Sequence, residues 1–189
     1  MPDPRFVGHL HTATAVFHAV ADADLITACR TITGYREYLE KSYDFELGVE
    51  RAFAATPGLE ATIDLDARSR VAALTADLEV MGLERAEIEA LPVWGDRTSF
   101  DEVVEALGWM FVLDRRTVAP GIAARELARD RPMMAKAMAY FTRIASRPTW
   151  GQLVNALETV EADPRASIRL TDAASEGFRA RRAWFHDRN

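Results

Sequence analysis

Apolar residues recur every three or four positions along almost the whole of this chain, and that spacing restricts it to helices. One set runs Tyr35, Tyr38, Leu39, Phe45, Val49, Phe53, and a second Val71, Leu74, Leu78, Met81. Then come Phe100, Val103, Val104, Leu107, Phe111, followed by Leu153, Leu157, Val160 after Trp150, and finally Leu170, Ala174, Phe178, Phe185. A helix of about 3.6 residues per turn collects such positions on one buried face. Alternation at period two occurs only in "TIDLD" (62–66), too short and too acidic for a sheet. Pro57, Pro92, Pro132, Pro148 and Pro164 fall between the periodic sets and mark breaks. Asp66 and Thr98 or Ser99 are candidate N-caps, because a short oxygen side chain accepts from the orphan amides of a first turn. No repeat, low-complexity tract or linker interrupts the 189 residues. The expectation is one all-α domain over residues 1–189, a multi-helical bundle of about seven or eight helices.

Segment 106–113, "ALGWMFVL", is apolar all round, so a helix there is expected at the centre, enclosed by neighbours. It turns charged at "DRR" and reaches "APG" at 119–121. A proline inside a helical run removes an amide and clashes with the carbonyl one turn back, so a kink or break is expected near Pro120.

Charge narrows the function classes. The net charge of −6 argues against nucleic acid, whose phosphates need basic patches, yet leaves room for a local basic pocket. The lone cysteine, Cys29, forms no intramolecular disulfide and points to a reducing compartment. The opening "MPDPRFVGHL" lacks a basic region followed by an apolar one, and 106–113 is too short to span a bilayer. A soluble, cytoplasmic protein that binds neither nucleic acid nor membrane is expected.

Among candidate site residues, "LHTATAVFH" (10–18) stands out. A helix there puts His11, Thr14 and His18 on one face. Imidazole is the commonest protein ligand for metals, haem iron included, but a histidine on an amphipathic helix also serves as an ordinary structural residue. The spacing alone leaves both readings open. His9 and His11 lack a third ligand at zinc spacing, and His186 falls in a charged tail. Glu37, Glu40, Glu46 and Glu50 sit at near-helical spacing, but no Glu-x-x-His accompanies them, so a solvated acidic face is expected rather than a di-iron site. Nothing identifies a base for Cys29, and no glycine-rich phosphate loop occurs. Arg143 and Arg147, and Arg179, Arg181 and Arg182, are either solvated or able to clamp a ligand carboxylate, whose geometry guanidinium matches.

Taken in order, these segments resemble the haem oxygenases, most closely the bacterial branch found beside bacteriophytochromes. Leu10, Ala13, Thr14 and His18 match the opening Leu-x-x-Ala-Thr-x-x-x-His, whose histidine is the family's proximal haem ligand. "TGYREYLEKSYDFELGVE" (33–50) is similar to the second helix, with Glu50 in place. "LTADLEVMG" (74–82) is similar to Leu-x-x-Asp-Leu-x-x-x-Gly, and "ALGWMFVLD" (106–114) to the start of the distal helix. "YF" (140–141), Trp150 and "AASEGF" (173–178) fit the closing helices, so the resemblance covers nearly the whole chain.

The resemblance implies a haem oxygenase-like helical fold that holds haem between a proximal and a distal helix. It implies cleavage of the ring with O₂ and electrons to biliverdin, CO and iron. It names haem or a bilin as the ligand, a ferredoxin or reductase as electron donor, and a phytochrome-type photoreceptor as a possible partner. His18 becomes the iron ligand, with Thr14 beside it. Gly108, Trp109, Val112 and Arg115 fall on the distal wall, Asp114 and Arg116 are the candidate catalytic residues, and His11 and Arg147 face the propionates. One stretch departs from the pattern. Where the family's distal helix carries glycines that let it bend and approach haem, this chain reads "DRRTVAPG": Arg115 replaces the first, and Ala119 and Pro120 replace the later pair. Pro120 can supply the bend, while two arginines crowd the oxygen side if they point inward. That departure motivates an alternative, a haem oxygenase-like carrier, sensor or regulator that binds haem or a bilin without cleaving it.

Overall fold

A computed structural model describes residues 5–95, 97–114, 118–130, 136–144 and 147–186, and among them no residue forms a β-strand. The chain is all-α. Its helices are α1 (Arg5–Ala13), α2 (Ala15–Ala28), α3 (Ile32–Ala54), α4 (Leu65–Arg68), α5 (Val71–Val80) and α6 (Arg85–Glu89). After a long loop come α7 (Val103–Leu113), α8 (Ala119–Asp130), α9 (Ala139–Ile144), α10 (Arg147–Glu161) and α11 (Pro164–His186). The described residues thus form eleven α-helices rather than the expected seven or eight; eight have nine residues or more, and the short α4, α6 and α9 carried too little periodicity to register.

α7 is the central helix. From Val104 to Leu113 all but Glu105 are buried, as a segment apolar on every side requires. Its main partner is α11, and glycines make that approach possible. A Cβ on Gly177 of α11 would lie 3.1 Å from both Trp109 Cδ2 and Val112 Cγ2, and Gly108 of α7 faces the α11 backbone in return.

Two apolar clusters fill the interior. The first gathers Phe6, Leu10, Phe45, Val49, Trp109 and Phe178, around α1, α7, α10 and the facing parts of α3 and α11. The second gathers Leu25, Tyr35, Leu39, Leu78, Ala123 and Phe141, around α2, α5, α8, α9 and the start of α3. α3 and α11 contribute to both.

Several boundaries differ from the sequence reading. Thr14 divides the helix expected over 10–18: α1 stops at Ala13, α2 begins at Ala15, and the Thr14 hydroxyl donates to the Leu10 carbonyl at 2.7 Å. The cap of α4 is Asp64, which accepts from Ala67 N–H at 2.9 Å; Asp66, the expected cap, lies in the first turn. Neither Thr98 nor Ser99 starts α7, because residues 98–102 run as a loop that folds the buried Phe100 into the core, and Glu102 precedes the first turn. The expected discontinuity near Pro120 falls earlier: α7 ends at Leu113, Asp114 and Val118 are not helical, and α8 starts at Ala119 with Pro120 in its first turn. Pro148 and Pro164 likewise sit in the first turns of α10 and α11, where a missing amide leaves no bond unmade.

Candidate functional site

His18 is buried on α2, enclosed by rings from three other helices. Phe111 of α7 meets it edge-on at 5.8 Å between centroids, and Phe178 of α11 edge-on at 4.8 Å. His11, half-buried on α1, lies 5.0 Å away and contacts Phe111 at 5.1 Å. Phe17, on the preceding position of α2, stacks on Phe178 at 5.6 Å. The break at Thr14 thus keeps both histidines at one aromatic junction while placing them on different helices. Thr14 itself is fully buried, its hydroxyl spent on Leu10.

α2 and α11 run in the same direction. His18 meets Phe178 at one end, and Asp24 meets His186 at 3.2 Å at the other. α2 also packs on α8, the helix that follows the break, with Leu25 in the same apolar cluster as Ala119, Ala123 and Leu127.

Of the expected distal-wall residues, Gly108 faces α11 and Val112 packs against Gly177. Trp109 lies in an aromatic cluster, 5.2 Å from Trp94 and 5.5 Å from Phe100, with the Arg97 guanidinium 5.5 Å from its ring. Arg115 and Arg116 lie outside the described residues. Arg147 opens α10, but its side chain is likewise outside them.

Asp114 ends α7 in a buried charged network. Arg68 and Arg70 both hold its carboxylate, Arg70 at 2.9 Å. Arg70 also donates to the Leu113 carbonyl at 2.9 Å, a cation on the exposed carbonyl end of a helix dipole. Its Nε lies 3.4 Å from Glu46, whose other oxygen accepts from the Tyr140 hydroxyl. Burial by itself would lower the Arg70 pKa, but Glu46 and Asp114 outweigh it and the net shift is upward. Arg68 goes the other way: its burial outweighs the pull of Asp114. Burial, then Glu46, pushes the Tyr140 phenol well above its ordinary value. Glu50 accepts from Ser69 Oγ and Arg70 N–H, both at 2.8 Å, yet burial raises its pKa.

This network corrects the solvated acidic face expected of α3. Glu37 is exposed and Glu40 and Glu50 are half-buried, but Glu46 is only 4% exposed. The helix turns Glu46 inward because it continues the buried step Leu39, Ser42, Glu46, Val49, Phe53. The basic residues divide in the same manner. Arg179 and Arg182 are exposed, Arg181 is buried, and Arg143 donates to the carbonyls of Ala67 and Ser69 at 2.6 and 3.2 Å.

Between α2, the α7–α8 break and α3 lies a cavity of about 20 Å³, room for about one water. Leu25, Tyr38, Glu46, Leu113, Tyr140 and Arg181 line it. Sequence reasoning missed Tyr38, Arg70, Tyr140 and the inward turn of Glu46. The signal available was a charged or hydroxylated residue on an apolar step, as at Glu46 and at Arg181, one turn after Phe178.

Among the described residues no three His, Cys, Asp or Glu side chains gather as a metal site, and no helix is long and apolar enough to cross a membrane. No protein-family model, curated protein or solved structure matches the chain.

Proposed function

We propose that this chain is a haem oxygenase-like protein that binds haem at His18 and cleaves it oxidatively to biliverdin, CO and iron. One observation carries the reading: α2, bearing a buried imidazole, packs on α8, and that imidazole meets Phe111 of α7, the helix that ends shortly before α8 where a bent distal helix is expected. The break occurs although the glycines at 115, 119 and 120 are replaced.

The residues present fit the group in kind. An imidazole is enclosed by apolar rings, and a polar cavity lies one to two turns further along the same helix. The 20 Å³ cavity is far smaller than a macrocycle, so binding requires α2 to part from α8. Haem, as substrate, supplies the iron and the ring on which oxygen acts. The chain supplies the rest. His18 holds the iron, and the Thr14–Leu10 hydrogen bond orients the start of its helix. Phe111 and Phe178 keep water from the imidazole. Tyr140 keeps its proton on Oη, shared with Glu46, at the edge of the cavity beneath the break. A ferredoxin or reductase would provide electrons, and a phytochrome-type photoreceptor is the fitting recipient of the bilin.

The test is a haemin titration followed by reduction in air. Wild type is expected to shift the Soret band, His18→Ala to weaken that shift, and added reductant to replace it with a bilin spectrum. A Soret complex that survives reduction removes the cleavage and leaves the second reading, a protein that holds haem or a bilin intact. The closed α2–α8 contact and the double clamp on Asp114, which ties up a candidate catalytic carboxylate, favour that second reading. No Soret shift at all overturns both.

A further inference from the structure

Among the described residues, Arg181 is a buried cation without an anion. It is 8% exposed, and its side chain donates to the Tyr38 hydroxyl at 3.1 Å and lies 4.1 Å from the Phe185 ring centroid. Among the described residues no carboxylate forms an ion pair with it. Glu46 lines the same cavity but is already engaged by Tyr140 and Arg70. Proteins rarely bury a guanidinium on a phenol and a ring alone, since buried charges are normally paired. The other buried arginines here, Arg68 and Arg70, obey that rule by sharing Asp114.

Position gives the charge a use. Arg181 follows Phe178, the ring against His18, by three residues, which is about 4.5 Å along α11. Arg181 lines the cavity bounded by Leu25 of α2, Leu113 of α7 and Pro120 of α8. A ligand seated at His18 and extending along α2 therefore meets Arg181 next.

We propose that Arg181 is the carboxylate anchor of the ligand site: it takes an acid group of the ligand into the cavity under the helix break. The proposal rests on the tetrapyrrole reading for the identity of that ligand. It adds a residue beyond His11 and Arg147, and it predicts a requirement for a free carboxylate. Guanidinium pairs bidentately with a carboxylate, and an ester oxygen offers neither the charge nor the second equivalent acceptor.

The experiment compares haemin with its dimethyl ester on wild type, Arg181→Gln and Arg181→Lys, reading the Soret shift, with circular dichroism to confirm each fold. Wild type is expected to bind the diacid about tenfold tighter than the ester, Arg181→Gln to lose that preference, and Arg181→Lys to keep part of it. Equal binding of diacid and ester by wild type, or a preference undiminished in Arg181→Gln, overturns the anchor while leaving the tetrapyrrole reading intact. Arg181→Lys keeps the charge, so it separates a lost anchor from a lost fold. If neither porphyrin binds wild type, the tetrapyrrole reading fails, and sodium benzoate against sodium chloride decides the anchor alone. A rise in Tm with benzoate in wild type but not in Arg181→Gln supports a small organic acid as the ligand; no rise overturns the proposal.

Discussion

Gly108 of α7 sits directly against the backbone of α11: a Cβ at residue 108 would lie 2.6 Å from the Leu170 carbonyl oxygen. Neither backbone can yield without moving a helix. Overpacking of this kind costs about 1–3 kcal/mol, offset by up to about 1 kcal/mol of helix propensity. Gly108→Ala is therefore expected to lower Tm by roughly 2–8 °C. Gly151 in α10 has nothing within 4 Å of its added Cβ, so Gly151→Ala is expected to raise stability by about 0.5–1 kcal/mol. Thermal unfolding followed by circular dichroism checks the opposite signs; a neutral Gly108→Ala would contradict the close seam.

Arg70 joins α3 to the end of α7 through Glu46 and Asp114. Arg70→Met leaves the Glu46 and Asp114 carboxylates without the cation they share. The expected loss is about 3–5 kcal/mol, a large share of the roughly 5–15 kcal/mol of an ordinary domain. Asp114→Leu is expected to cost a similar amount alone. The double variant should lose less than the sum, because each single change strands the other's charge. Urea midpoints of the four proteins supply the cycle, and strict additivity would argue against the network.

Glu50 makes stability depend on pH with a definite sign. Burial raises its folded pKa above the usual 4.5, although the Arg70 amide and the Ser69 hydroxyl work against that rise. The folded chain therefore binds this proton more tightly than the unfolded chain. The resulting stabilisation is complete below the unfolded value and is lost as pH rises through the folded one. Glu50→Gln removes that loss. Its stability relative to wild type should climb with pH from about 4.5 upward and then level off. A difference that stays flat between about pH 4 and 8 would show that Glu50 is not enclosed in the folded chain.

Cys29 should be chemically silent while the chain is folded. It is buried, and burial, followed by the charge of Glu126, pushes its thiol up to about 12. At about pH 8 that leaves about a thousandfold less thiolate than an exposed cysteine carries. A disulfide reagent is expected to label it at the rate of unfolding, so added urea should accelerate labelling steeply. Rapid labelling without denaturant would place the thiol at the surface.

The helical class was legible because the interior is built from helix faces, and stepping by three or four records a face directly. α3 and α11 follow their apolar steps almost residue by residue. The burial of 106–113 was legible for the same reason, since no polar side exists to point outward. What could not be read were relations across the chain. The partners of Asp114 are Arg68 and Arg70, 46 and 44 residues earlier, and no local spacing connects them. Gly108 reads as a ligand-facing residue in isolation, and only the placement of α11 assigns it to helix packing. The caps failed at short range for a different reason. "DLDARS" offers two aspartates within one turn, and it is Asp64 that accepts from the Ala67 amide.

Asp77 of α5 accepts from the amides of Ala139 and Tyr140, both at 2.9 Å, across more than sixty residues of sequence. α9 thus receives its starting signal from another helix. Six residues are too few to hold a helix in water, where nucleation alone is unfavourable. Tyr140, which closes the charged network on Glu46, is thus held through its own amide by α5. The bond from Tyr140 to Glu46 thus depends on Asp77, a carboxylate that holds the backbone of α9 rather than the phenol itself.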